Sequence, residues 1–165
     1  MFKEVIFLSL DFNFVFWLPY VVLLIHTIEE IPGFSRWATR HFAPMSTYKH
    51  VIIQVGMILA VLLVSYKASM TGYHGIWVIL AAAFQLHIGI NAVFHVVTTL
   101  LYKEYSPGLL TAATLSIPST VFFFNEICSG GRVSTAELII SICLGIIIGA
   151  SAIGTLFLKQ TIGRG

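Results

Sequence analysis

Two groups of residues in this sequence combine imidazole, carboxylate and amide side chains at helical spacing. The first is the segment HTIEE at positions 26–30, and the second is His87, Asn91 and His95, each four residues from the next. Residues three or four apart share one face of a helix, so each group forms a polar stripe. Imidazole and carboxylate ligands without thiolate suit Zn²⁺ best, and also Fe or Mn. The spacing therefore predicts a divalent metal site.

Three of these residues make the smallest ligand set. His26 and Glu30 lie one helical turn apart, and His95 on a facing helix adds the third ligand of a catalytic zinc site. Glu29 is then available as a general acid or base, or as a partner for a ligating imidazole. His87 stands about 12 Å from His95 along the helix axis. It is therefore expected either to support the site or to bind a second metal.

The composition indicates the environment of these residues. Of the 165 residues, 58% are hydrophobic and only 10% are charged, and the mean hydropathy is +0.93. Soluble domains carry about 25% charged residues. These values exclude a soluble globule, a disordered chain and a nucleic-acid-binding protein, which needs a dense basic patch. Cys128 and Cys143 provide neither a disulfide framework nor a CxxC metal pair.

Five apolar stretches approach the length of about 20 residues that a helix needs to cross a bilayer. The prediction is an all-α, polytopic membrane helix bundle that forms a single domain over residues 1–165. Its helices are predicted at residues 12–30, 50–66, 75–101, 106–124 and 136–158. We expect a multi-pass protein of the cell (inner) membrane, with the lipid bilayer as its partner. Residues 1–11 are expected to form an interfacial lead-in, and residues 34–43 to lie along the membrane surface.

The basic residues are distributed unequally between the two sides of this predicted bundle. One side carries Arg36, Arg40, Lys49, Lys103, Lys159 and Arg164, and the other carries Lys3, Lys67 and Arg132. Cytoplasmic loops carry the excess of Lys and Arg. The N-terminus is therefore predicted outside and the C-terminus in the cytoplasm.

Four of the predicted helices place polar residues at a similar depth, in the cytoplasmic half of the bilayer. These residues are the HTIEE segment, Asn91 with His95, His50 with Gln54, and Thr111. An ionisable residue at a helix centre costs about 2.5–3.5 kcal/mol on insertion scales, so this convergence indicates a site. The alternative is that such residues only hydrogen-bond neighbouring helices, at about 0.6 kcal/mol each. Glu29 has the further alternative of being solvated beyond the helix end.

The segment YSPG at positions 105–108 predicts the start of the fourth helix, with Pro in its first turn. Free backbone N–H groups at a helix start hold anions. Ser106 and Gly108, with Arg36 nearby, therefore predict a site for a lipid head group or pyrophosphate. Tyr105 joins Glu29, Glu30 and Asn91 as a candidate catalytic residue. The alternative is simply a helix that begins at proline.

The fifth helix carries the small-residue motif Gly145-x-x-x-Gly149. Glycines at this spacing let helix backbones approach closely in membranes. We expect this motif to pack within the bundle, and a homo-oligomer contact through Gly145 and Gly149 is the alternative.

Three short motifs, HTIEE at 26–30, NAVFH at 91–95 and YSPG at 105–108, occur in this order along most of the chain. Together they resemble the HXXEE-motif family of small prokaryotic integral membrane proteins, whose function is unknown. The resemblance implies a membrane protein and names no reaction. It marks as residues of interest His26, Glu29, Glu30, Asn91, His95, Tyr105, Pro107 and Gly108.

The expected function is an intramembrane, metal-dependent enzyme acting on a lipid-phase or amphipathic substrate by hydrolysis or acid/base chemistry. Its site is expected in the cytoplasmic half of the bilayer. One alternative is a small transporter or a metal or proton carrier that uses the same groups, although the short chain has no evident inverted repeat. A second is a metal-free enzyme with Glu29 or Glu30 as general acid on an isoprenoid-like substrate. A third is a structural membrane subunit, which the polar stripes disfavour.

Overall fold

The computed structural model describes residues 12–158, and all regular structure in this range is helical. A 3₁₀ segment, Phe12–Trp17, leads into α1, Leu18–Glu30. The helices that follow are α2 (Phe34–His41), α3 (Thr47–Thr71), α4 (Ile76–Tyr102), α5 (Leu109–Thr111), α6 (Ile117–Cys128) and α7 (Thr135–Thr155). The predicted lead-in at residues 1–11, and the basic residues Lys3, Lys159 and Arg164 used in predicting the orientation, lie outside the described residues.

Three of these helices, α3, α4 and α7, are long and apolar enough to cross a membrane. They correspond to the second, third and fifth predicted spans. The first prediction coincides with Phe14–Glu30, which counts as a span only together with α2, at a bend of 72°. The fourth falls on α5 and α6, which a π-helical turn at Ala112–Ser116 joins. This wider turn comes directly before Pro118, whose ring and missing N–H disturb a regular helix.

The outer surfaces of α3 and α7 are aliphatic. The exposed side chains there include Ile52, Ile53, Leu59, Leu63, Ile139, Ile146 and Ile147. Contiguous apolar surfaces of this kind are rare on soluble monomers and mark sites of contact with a membrane or a protein. Together with the three long apolar helices, this surface is that of a membrane protein.

Helix α4 is the centre of the bundle and packs against α1, α3, α6 and α7. The contact with α7 depends on two buried glycines. A Cβ at Gly145 would lie 2.8 Å from the Ala83 carbonyl oxygen, and one at Gly149 would lie 3.0 Å from the Ile90 side chain. The glycine motif therefore packs against α4 within the chain, and a homo-oligomer contact stays a prediction.

The helix α2 covers one end of the bundle. Its residues Phe34, Trp37 and Ala38 are buried in a cluster with Leu156, while Arg40 remains largely exposed. The segment expected at the membrane surface is thus an amphipathic helix with its apolar face turned onto the bundle. This arrangement places the last turn of α1, the first turns of α3 and the start of α5 around the middle of α4.

Candidate metal centre

The side chains of His26, Glu30 and His95 meet in the interior of the bundle. Glu30 Oε1 lies 3.5 Å from His26 Nε2 and 3.0 Å from His95 Nε2. The two imidazoles meet edge to face, with ring centroids 5.0 Å apart. One ligand atom from each residue lies within 4.8 Å of the other two, and all three side chains are buried. The structure thus brings together the three residues that the spacing selected as metal ligands.

Gly108 closes this centre from the start of α5. A Cβ on this residue would lie 2.8 Å from Cε1 of His26, 2.8 Å from Cε1 of His95 and 3.0 Å from His95 Nε2. Its φ of +106° is also in the left-handed region, which glycine tolerates best. Gly108 therefore contributes no ligand. It is the residue that lets the backbone approach both imidazoles.

The Nδ1 atoms of both imidazoles are held by hydroxyl groups. His26 Nδ1 lies 2.7 Å from Thr111 Oγ1, and His95 Nδ1 lies 2.8 Å from Ser106 Oγ. The Thr111 hydroxyl donates its own proton to Glu29 Oε2 at 2.6 Å, so it accepts a hydrogen bond from His26 Nδ1. This network assigns the proton of the neutral His26 ring to Nδ1 and leaves the Nε2 lone pair directed at the centre. Metal-binding histidines are oriented in the same way by their second nitrogen.

Glu29 faces away from the centre and binds the start of α5. Its Oε1 accepts hydrogen bonds from the Gly108 N–H at 3.0 Å, the Leu110 N–H at 3.1 Å and the Tyr105 hydroxyl, and its Oε2 also accepts from the Thr111 N–H at 2.8 Å. A negative charge at a helix N-terminus is stabilised by the free N–H groups and the helix dipole. Glu29 is therefore outside the group of three ligands, and both of its oxygens accept hydrogen bonds from the start of α5 or from Tyr105. It ties the end of α1 to the segment that carries Thr111.

The anion predicted at the YSPG segment corresponds in the structure to Glu29 itself. Ser106 is fully buried and bonds His95 instead of an external anion. Arg36 is remote from this role, because its guanidinium donates to the Pro32 carbonyl within its own turn. Tyr105 is 53% exposed, and its hydroxyl donates a hydrogen bond to Glu29. The structure thus gives Ser106, Gly108 and Arg36 partners within the chain, and a head-group site at these residues stays a prediction.

Two amides contact the centre. Asn91 Nδ2 lies 2.9 Å from His26 Nε2 and 3.3 Å from His95 Nε2, so its amide faces the point where the ligand atoms meet. Gln54 Nε2 donates to Glu30 Oε2 at 2.5 Å and orients the carboxylate.

Gln54 and Thr111 were absent from the predicted catalytic and ligand sets. The four-residue spacing of His50 and Gln54, and the position of Thr111 just after YSPG, are the signals that point to them.

A cavity of about 520 Å³ adjoins the centre, between α3 and α7. Its polar lining includes His26, Glu30, His50, Gln54, His87 and Asn91, together with Ser46, Lys49, Ser151 and Thr155, and its aliphatic lining includes Ile147, Ile148, Ile153 and Leu156. His87 belongs to this lining and is outside the group of three ligands. The centre is therefore buried and yet has one face on a cavity of the size that small-molecule sites have, about 300–1,000 Å³.

A family model described as "Protein of unknown function with HXXEE motif" matches residues 17–123. This match covers most of the chain and includes every residue of the metal centre. The chain belongs to the HXXEE family. The resemblance drawn from the three motifs is thereby confirmed.

One curated relative of this HXXEE protein is the "Uncharacterized protein YrkK" of Bacillus subtilis (strain 168). It is 27% identical over 133 residues, which cover 76% of this chain and 83% of the relative. No solved structure matches the chain significantly. The matched family region ends before α7, so the aliphatic wall of the cavity lies outside it.

Proposed function

We propose that this HXXEE protein is an intramembrane, metal-dependent hydrolase that acts on a lipid-phase or amphipathic substrate. The observation that carries the proposal is the approach of His26 Nε2 to Glu30 Oε1. The hydrogen-bond network leaves a lone pair on this nitrogen, and the carboxylate oxygen 3.5 Å away is also an acceptor. Asn91 Nδ2 and His95 Nε2 are the donor atoms next to these two acceptors, and a divalent cation would bind both acceptors in their place. His95 Nε2 completes a donor set of two imidazoles and one carboxylate.

This donor set is the one that catalytic zinc sites use, with a fourth position left open. Bound there, a zinc ion would lower the pKa of a water molecule to about 7 and polarise a carbonyl group. Fe and Mn accept the same ligands. The donor set therefore supports a divalent metal, with Zn²⁺ as the first choice, and an ester or amide as the bond cleaved.

Each residue around the centre has a role in this proposal. His26, His95 and Glu30 Oε1 would hold the metal, and Glu30 Oε2, positioned by Gln54, would accept a proton from a water molecule. The Asn91 amide, which faces both Nε2 atoms, donates to the carbonyl oxygen of the substrate. The burial of the ligands excludes bulk water, and this strengthens every electrostatic interaction in the site.

The proposed topology keeps five spans. The continuous run of α5, the π turn and α6 covers about 30 Å at 1.5 Å per residue, which is the thickness of a hydrocarbon core. The segment ending at Glu30 is the first span, and α2 lies on the surface. With the N-terminus outside, the centre and its cavity belong to the cytoplasmic half of the cell membrane.

Elemental analysis of the purified protein tests the proposal. We expect about one equivalent of metal per chain, and loss of this metal in Glu30→Ala and His95→Ala variants. His74→Ala is the matched control, because the His74 side chain is 72% exposed and lies at the opposite end of α3 from the centre. Titration of the chelator-treated wild-type protein with Co²⁺ gives a second readout, the visible bands of a tetrahedral site, that needs no variant.

Two results would overturn the proposal. One is a wild-type protein that neither retains a stoichiometric metal nor develops Co²⁺ bands. The other is full metal retention in a folded Glu30→Ala variant. Metal or proton uptake into sealed vesicles that depends on His95 would instead identify a carrier.

A further inference from the structure

Two histidines in the cavity wall are buried beside the metal centre without being part of it. His50, in the first turn of α3, is 6% exposed, and His87, in α4, is 7% exposed. Nε2 of His50 and Nδ1 of His87 have no hydrogen-bond partner among residues 12–158. Polar atoms in this state are rare in native proteins, and they mark places where a ligand, an ion or catalysis needs them.

The cavity that these histidines share has two unlike walls. On the polar side the histidines stand next to Glu30, Gln54 and Asn91. The other wall is mainly aliphatic and comes from the second half of α7 and the residues that follow it: Ile147, Ile148, Ala152, Ile153, Leu156 and Leu158, with the hydroxyls of Ser151 and Thr155 among them. A ligand that satisfies both walls has a hydrogen-bonding head and a hydrocarbon tail. A polar wall opposite a mainly aliphatic wall therefore favours an amphiphile as the ligand.

The position of the cavity gives such a ligand a route from the bilayer. The walls come from α3 and α7, which both pack on α4 and are both long and apolar enough to span a membrane. An amphiphile in the hydrocarbon phase therefore reaches the centre laterally, between these two helices. The volume of about 520 Å³ is that of one small-molecule site, which favours one hydrocarbon chain over two.

The charge of the head group follows from the residues around it. The carboxylate of Glu30 is buried in the same cavity wall as both histidines, whereas Lys49, which also lines the cavity, is exposed. An anionic head placed at the histidines would therefore be repelled by Glu30 in a medium of low dielectric constant. A neutral imidazole offers one donor and one acceptor. Hydroxyl, ester and amide groups match this pair, because each can accept or donate a hydrogen bond without carrying charge.

We propose that His50 and His87 bind the neutral polar head of a single-chain amphiphile, whose hydrocarbon chain lies along the α7 wall of the cavity. In the proposed hydrolase this places the ester or amide next to the open metal position, so the substrate class rests on that function. The binding itself needs no metal. It is therefore measured separately from metal content and from catalysis.

Photo-crosslinking tests this assignment. The probe is a monoacylglycerol with a diazirine in its acyl chain, added to chelator-treated protein in phosphatidylcholine nanodiscs, and the labelled residues are read by mass spectrometry. We expect labelling of the wall residues Ile147, Ile148 and Met57. A His50→Phe, His87→Phe double variant keeps the rings and removes the nitrogens, and we expect labelling at least tenfold weaker. His74→Phe is the control and leaves labelling unchanged.

A His50→Gln, His87→Gln variant restores hydrogen-bonding groups and is expected to recover much of the labelling, which a purely structural role would not predict. Equal labelling of the wild-type protein and the Phe double variant would overturn the assignment. Equal labelling by a diacylglycerol probe would overturn the single-chain class. Labelling that persists in a protein shown to bind no metal would refute the hydrolase alone, and stoichiometric metal without cavity labelling would refute only the present inference.

Discussion

The Thr111 hydroxyl lies between His26 and the carboxylate of Glu29, at 2.7 Å from His26 Nδ1 and 2.6 Å from Glu29 Oε2. Because the hydroxyl donates to the carboxylate, it accepts from the imidazole. His26 and Glu29, one helical turn apart in the HTIEE segment, are thus connected through Thr111, which lies 82 positions after Glu29 in the chain. Through this link Glu29, which does not contact the centre, fixes the orientation of His26, which does.

Replacing Thr111 by Val should weaken metal binding without abolishing it. The valine side chain has a similar volume and leaves His26 Nδ1 without an acceptor, so the ring loses its fixed tautomer. Loss of such an outer partner typically costs 10- to 100-fold in metal affinity, and we expect a change of about this size in a chelator competition assay. Thr114→Val is the control, since among residues 12–158 the Thr114 hydroxyl bonds only the Leu110 carbonyl one turn earlier. Unchanged affinity in Thr111→Val would contradict the link.

The two glutamates of the motif should differ in what their replacement affects. Glu29→Gln keeps the size of the side chain but removes one acceptor oxygen from the start of α5. It should lower the free energy of unfolding by about 1–3 kcal/mol, the cost of leaving a partly buried donor unpaired. Glu30→Gln should chiefly reduce the metal content. Thermal unfolding and elemental analysis of both variants check this separation, and a Glu29→Gln protein of wild-type stability would refute it.

Gly108→Ala should disturb the centre sterically, without removing any metal ligand. The new Cβ would lie 2.8 Å from both imidazoles, and alanine at a φ of +106° adds a backbone penalty of about 1–2 kcal/mol. We expect both a lower melting temperature and a loss of metal affinity. Gly154→Ala, in α7, is the matched control, because no atom of the part of the chain that the structure describes lies within 4 Å of a Cβ built there. It should be neutral or stabilising by up to about 1 kcal/mol. Equal effects of the two substitutions would show that Gly108 has no special contact.

Glu104, in the loop after α4, should make the protein less stable as the pH becomes acidic. A hydrogen bond from His41 and the nearby Arg40 guanidinium hold the pKa of Glu104 below its ordinary value of about 4.3. A carboxylate with a lowered folded-state pKa stabilises the protein above its unfolded-state pKa, and this contribution disappears as the pH falls through the folded-state value. Melting temperatures of the wild-type protein should therefore decline below about pH 4.3 more steeply than those of Glu104→Gln. Parallel curves would exclude this contribution.

The sequence by itself determined the class of the protein and the content of its centre. A chain with 10% charged residues cannot cover a soluble surface, so each polar residue inside an apolar helix was informative. The four-residue spacings selected His26, Glu30 and His95 because a helix places such residues on one face. Three of the five predicted spans coincide with long apolar helices, since hydropathy and length are local properties of the chain.

Tertiary structure alone decided the roles of the neighbouring residues. Glu29 and Glu30 are adjacent and chemically identical, so no local pattern could assign one to the α5 start and the other to the imidazoles. Their difference arises because successive residues on a helix point about 100° apart, and the partners that α4 and α5 bring to each direction differ. For the same reason Ser106 bonds His95, and His50 and His87 share one cavity wall. Contacts between distant segments depend on how the helices pack, and the spacing of residues along the chain does not specify that packing.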